Sequence, residues 1–461
     1  MKRCLILVCY LLVLLSSLIA HANTVTWTGA TATVTVTTVP GEQVTLTPKA
    51  AVVQPGSALR LQANQSVVWS IAEGVLGGSI TTGGTYTAPA KPGLYHVVAS
   101  STADPANHAI ANIAVVGGKL KAAYVADLDE NSVSVLAGVT SNGVATGQLH
   151  ETESLPAGQS PTALAISPKG TFLLSANQDS NDVSLFTISS ADGALHAVPG
   201  PAFEAGTRPG AVVVDPSGKM AFVANSDSDD VSAFAVNEAS GQMVLLGKQA
   251  LAAGDKPSAI AVHPDGAMVF VANAGANTIY GFTYDVAGML KPVAASPFAA
   301  GTGPSAAAMD VAGKFLFVTN RGSGDVSVFA VDTKNETLQE ISGSPFPAGQ
   351  GAAAVAIDVT GSYLFVADHD TSDIATFQIN GDSGELTLLG RTPLPATGPS
   401  SLAVDPSGQY LYVTSDKASV VTTFKLDVST GNLALSGKTA GRGKASSIVV
   451  AGSAAAPAQA P

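Results

Sequence analysis

The chain is poor in thiols, in charge and in aromatic bulk. Its two cysteines, Cys4 and Cys9, fall within the first ten residues, so beyond them no disulfide, Cys-ligated metal or thiol nucleophile can be built. Charged residues are 12% and aromatics 6% of 461, a composition that suits neither helices nor disorder. Basic residues are outnumbered, 22 to 34, for a formal charge of −12. Nucleic acid and anionic membrane surfaces both require clustered Lys and Arg, so neither is expected as a partner. The acidity itself reads as solubility. Named catalytic signatures are missing: there is no G-x-S-x-G and no H-E-x-x-H. Gly431 to Thr439 imitates a phosphate loop but carries one residue too many before Gly-Lys-Thr.

Glycine and proline are plentiful, at 47 and 26, as many short strands joined by tight turns require. Residues 1–22 read as a secretory signal. Lys2 and Arg3 are followed by an apolar stretch from Cys4 to Ala20, and Ala20-His21-Ala22 supplies a small-residue cleavage pattern. The stretch is short for a spanning helix, which needs about 20 residues. The expectation is a secreted or periplasmic, monomeric protein cleaved after Ala22, with no cofactor and no membrane contact thereafter. Residues 23–42 read as an extended linker. Residues 43–117 read as a small all-β unit of short alternating strands around Trp69. Trp69, the turn around Tyr86 and Pro92-Gly93-Leu94-Tyr95 make it resemble bacterial immunoglobulin-like β-sandwich domains. That resemblance implies a spacer or adhesion module.

From 119 to 452 one sentence repeats. Its opening residue falls at Pro161, Pro209, Pro257, Pro304, Ala352, Pro399 and Ala445, in steps of 48, 48, 47, 48, 47 and 46. Each copy holds four strand-like segments. Four strands in about 40–50 residues is the signature of a propeller blade. The first copy lacks its opening strand, and a matching segment, Ala445 to Val450, stands alone at the far end. Six whole copies and one assembled from both ends make seven blades, closed without a free edge. The fold expected is therefore all-β, a seven-bladed β-propeller preceded by a small Ig-like β-sandwich. Residues 453–461 are Ala- and Pro-rich and read as a disordered tail.

Turns such as Asp215-Pro216-Ser217-Gly218 would lie on one face. The loops after the second and fourth strands would lie on the other, around the channel mouth. These upper loops carry carboxylates such as Asp227, Asp229, Asp230, Asp368, Asp370 and Asp373. Oxygen clusters can hold Ca²⁺, but Asp and Asn here also cap loop N–H groups, and their recurrence favours the structural role; no metal is expected. After each opening residue comes a small one: Thr162, Gly210, Ser258, Ser305, Ala353, Ser400 and Ser446. The hydroxyls of Thr162, Ser258, Ser305 and Ser400 are candidate ligand contacts, although crowding at the axis explains small residues unaided. Arg208, Lys256, Arg442 and Lys444 enter the innermost strands and are candidate anion contacts. His369, between Asp368 and Asp370, is the candidate acid–base residue, with Arg208 and Arg321 as candidate catalytic cations.

The blade sentence P-x-x-I-A-V-x-P-D-G…VFVAN…V-S-V-F…G-x-L resembles the seven-bladed lactonase family, which includes 6-phosphogluconolactonases, and the related YVTN-repeat surface proteins. The resemblance implies a propeller and, in the enzymes, opening of a sugar lactone in carbohydrate metabolism. Those enzymes carry Arg-His after a blade-opening Pro and Glu after the Asn ending a second strand. Here the openings read Pro161-Thr162 or Pro257-Ser258 and the strand ends Asn177-Gln178 or Asn320-Arg321, so none of these residues carries over. The expected function is binding of a small lactone or sugar, or of an extracytoplasmic protein, at the channel mouth. Lactone hydrolysis is the alternative.

Overall fold

The computed structural model describes residues 42–452, apart from 142, 143, 201, 239, 240 and 286. The signal segment, the linker up to residue 41, the tail and part of the turn at 239–241 lie outside the described residues. Seven sheets form the propeller, four of them four-stranded and three, in blades 2, 4 and 5, with the outermost strand split in two. Their innermost strands are Ala445–Gly452, Pro161–Ile166, Pro209–Val214, Pro257–Val262, Pro304–Met309, Ala352–Ile357 and Pro399–Val404, for blades 1 to 7 in that order. Second strands such as Phe172–Asn177 and Tyr363–Asp368 are buried at every residue. Alternation is lost there because both sheet faces meet a neighbouring blade.

Packing follows from that placement. Each of the seven propeller cores is shared by two adjacent blades; one joins Phe317 and Val328 of blade 5 to Leu364 and Phe377 of blade 6. Blade 1 is closed by the C-terminal strand, whose Val449 and Ile448 lie opposite Tyr124 and Val125. Three tyrosines also tie blade to blade. Tyr124, Tyr363 and Tyr410 donate their hydroxyls to the carbonyls of Gly193, Ser429 and Ala145 at 2.7–2.9 Å.

The turns after the innermost strands use a carboxylate as a clamp. Asp405 accepts from the backbone N–H groups of Ser407, Gln409 and Tyr410, and Asp358 does the same from Thr360, Ser362 and Tyr363. His263 takes this place in blade 4 and bonds across to the Gly313 carbonyl at 2.8 Å.

Residues 46–115 form, besides a short pair of Leu46–Thr47 with Gln62–Ala63, a four-stranded and a three-stranded sheet around one core. One orders Ala50–Val53, His108–Val115, Gly93–Ser101 and Val67–Ile71; the other orders Ala58–Arg60, Thr85–Thr87 and Ser79–Ile80. Trp69 was expected at the centre but is only half-buried. Tyr86 is fully buried instead and donates to the Gly77 carbonyl at 2.7 Å. This unit sits on the turn face of the propeller: Asn112 Nδ2 donates to Ser362 Oγ at 3.1 Å. The opposite, upper face is left uncovered by it.

Candidate functional site

The upper rim is built by one hydrogen bond repeated seven times. The residue following each second strand donates its N–H to the carbonyl of the residue just before an innermost strand. The donors are Leu128, Gln178, Ser226, Ala274, Arg321, His369 and Asp416, all at 2.8–3.0 Å. The bond fastens each donor to the entry of an innermost strand, so these seven side chains ring the channel mouth. Four of them are neutral. Arg321, His369 and Asp416 are consecutive members of the ring, in blades 5, 6 and 7.

These three side chains form a line. Arg321 Nη2 lies 3.1 Å from His369 Nδ1, and His369 Nε2 lies 3.2 Å from Asp416 Oδ2. Asp370 Oδ1 is 2.8 Å from Nδ1 and 3.8 Å from Arg321. His369 is buried, with both ring nitrogens engaged. Donation from His369, with the charge of Arg321 behind it, holds the Asp370 carboxyl below the usual range. Room is made by glycines ahead of the innermost strands. A Cβ on Gly351 would stand 2.6 Å from Asp370 Cγ, and one on Gly398 2.5 Å from Asp416 Oδ1.

The other sequence candidates are distributed differently. Arg208 faces Gln178, and with that amide turned to present its oxygen the guanidinium donates to it. Arg442 pairs with Glu151 at the blade 1 rim. Lys256 gives its N–H to Asp229 at 2.7 Å, and Lys444 its N–H to Asp129 at 2.6 Å. The guanidiniums of Arg208 and Arg442 thus have separate side-chain partners, whereas for Lys256 and Lys444 it is the backbone N–H that is engaged. The hydroxyls of Thr162, Ser258, Ser305, Ser400 and Ser446 each donate to the carbonyl opening the next blade, at 2.6–3.1 Å. They staple the ring from inside while remaining half-buried at the channel wall.

The acidic loops are likewise engaged. Asn177 Nδ2 donates to Asp182 and Ser184, Asn225 to Asp230 and Ser232, and Asn320 to Asp325 and Ser327, at 2.6–3.0 Å. Blades 1, 6 and 7 break the pattern, with Asp127, Asp368 and Ser415 where the amide stands elsewhere; blade 6 compensates with a cation. Arg391 supplies the missing donor, reaching Asp368 at 2.9 Å and Asp373 at 3.2 Å. Sequence reasoning missed this pair, although an acid standing in an asparagine register was a visible signal.

Asp368 is fully buried. Burial first, and Asp373 second, push its carboxyl up to about 7 from 3.8. Burial shifts Asp127, at the same register in blade 1, in the same direction. A carboxyl raised in the folded chain holds a proton that the unfolded chain releases. Its stabilising contribution is complete below the unfolded value and is lost as pH climbs through the folded one. As pH rises from 5 to 8, Asp368 is therefore expected to make the protein progressively less stable. Urea midpoints measured across that range test this, and a midpoint that rises with pH would contradict it.

Residues 96–207 and 255–450 match the family described as Lactonase, 7-bladed beta-propeller; blade 3 falls between the matched segments. No curated protein sequence matches the chain. Among solved structures, a Lactobacillus plantarum protein is 19% identical, with a TM-score of 0.63, over 72% of this chain and 100% of its own. A Bacteroides fragilis protein assigned as a candidate 6-phosphogluconolactonase is 21% identical, with 0.61, over 72% and 97%. The periplasmic gluconolactonase of Pseudomonas aeruginosa is 19% identical, with 0.61, over 73% and 99%. At these identities the likeness is one of fold.

Proposed function

The chain belongs to the seven-bladed β-propeller lactonase family, and from that premise we propose that it binds a small sugar or sugar lactone at the upper mouth without turning it over. The observation that carries this reading is the state of the mouth's acid–base groups. Both nitrogens of His369 are occupied, and Asp370 is held low, which makes it a weak base. What the mouth does offer is hydrogen bonding. Arg321 keeps half its side chain exposed beside the Asp370 carboxylate, while Asp416 stands on the far side of His369. A planar guanidinium with carboxylates nearby is suited to a polyhydroxylated ligand. An extracytoplasmic protein is the other partner the uncovered face would admit.

Export is part of the reading, with residues 1–22 as a cleaved signal and the N-terminal sandwich, immunoglobulin-like in its sequence, as a spacer. Among the described residues no helix is long and apolar enough to cross a membrane.

Hydrolysis of a lactone is the second reading, favoured by the family and by the register that Arg321, His369 and Asp416 share. Titrating the acid released from gluconolactone and phosphogluconolactone separates the two. The expected rate equals that of buffer. Gluconate binding, followed by calorimetry, is expected to weaken roughly tenfold or more in Arg321→Ala, since hydrogen bonds to a charged group contribute about 1.5–3 kcal/mol. A rate above buffer that vanishes in His369→Ala would replace binding with hydrolysis.

A further inference from the structure

The turn-face end of the channel contains a chamber of about 140 Å³. The sandwich forms its floor, through Leu94 and the joint Val115 to Gly118, and the lower ends of innermost strands form its walls. Six apolar side chains line it while only half-buried: Leu94, Ile166, Met309, Val311, Val359 and Val450. Apolar surface this far inside a protein ordinarily finds a packing partner. Here it faces the chamber.

The polar groups at the margin are already committed. Asp405 is filled by Ser407, Gln409 and Tyr410, and Lys169 pairs with Glu238 at 3.0 Å. The lining is more apolar than polar, and an apolar space of roughly 150 Å³ accepts a benzene-sized molecule. The geometry points to a second binding site, remote from the upper mouth, for a single aromatic ring or a short alkyl group. Such a ligand would touch the sandwich and the propeller together and would favour their docked arrangement.

The test uses the whole chain labelled with ¹³C at the methionine methyls, with toluene as probe. Met309 lines the chamber, while Met220, Met243 and Met268 are buried in blade cores. The expected result is a saturable shift of the Met309 methyl while those three stay fixed. Val450→Phe, which fills the chamber, is expected to weaken the effect by about tenfold or more; fixed positions of the other three methyls report that this variant is folded. Absence of a saturable Met309 shift in the wild type overturns the site, whatever the variant does. So does toluene binding that is equally tight in folded Val450→Phe.

Discussion

Ending the chain at Lys444 is expected to abolish cooperative folding. The lost strand supplies the inner edge of blade 1, where Ala445, Ile448 and Ala451 are almost completely buried. Without it the strand Leu120–Asp127 presents an unpaired ladder, and two blade interfaces lose one wall. An open, flat strand edge of that kind recruits other chains. The truncated protein should therefore elute as aggregate and show no urea transition. A milder version grades the effect: Ile448→Ala should cost about 3 kcal/mol, as large-to-small changes in a packed core do. A truncated chain that is monomeric and unfolds cooperatively would show that the ring does not depend on this seam.

Arg391→Ala is expected to cost about 3 kcal/mol, because removing one partner strands a buried charge. The carboxylate left behind is Asp368, which is wholly inaccessible and then retains only the Gly349 N–H, at 3.0 Å. The double variant Asp368→Asn/Arg391→Ala should recover most of the loss, since it rebuilds the amide-to-carboxylate clamp of Asn177 and Asp182 in blade 2. The deficit of the single variant should also shrink at pH 5, where a proton can replace the lost cation on Asp368. Denaturation of the four proteins of this cycle at pH 5 and pH 8 gives the coupling directly. A double variant no more stable than Arg391→Ala would mean that the arginine acts through something other than charge.

The two cases show where the sequence is legible. Blade count, seam and turns are written locally: a proline, an alternation, an Asp-Pro-Ser-Gly at a fixed interval. The contents of the mouth arise from contacts between residues 47 or 48 positions apart, such as Arg321 with His369 and His369 with Asp416. Reading the chain in order hides these. Stacking the repeats brings them out, because the three share one register. The same stacking would have shown Asp368 replacing asparagine. It would not have shown Arg391 as its partner, since the register that holds Arg391 carries lysines in blades 3 and 7, where Lys248 and Lys438 reach backbone carbonyls instead. The seat of the sandwich was illegible for a different reason: it uses ordinary surface residues such as Asn112 and Ser362.

That seat gives the molecule two poles. Residue 42 enters beside Asn107, whose side chain donates to the Glu42 carbonyl at 2.9 Å. From there the strand His108–Val115 runs the length of the sandwich to the propeller. Entry and mouth thus lie on opposite sides of the propeller. A tether attached at Glu42 would therefore hold the blades from the turn face and leave the Arg321 side clear.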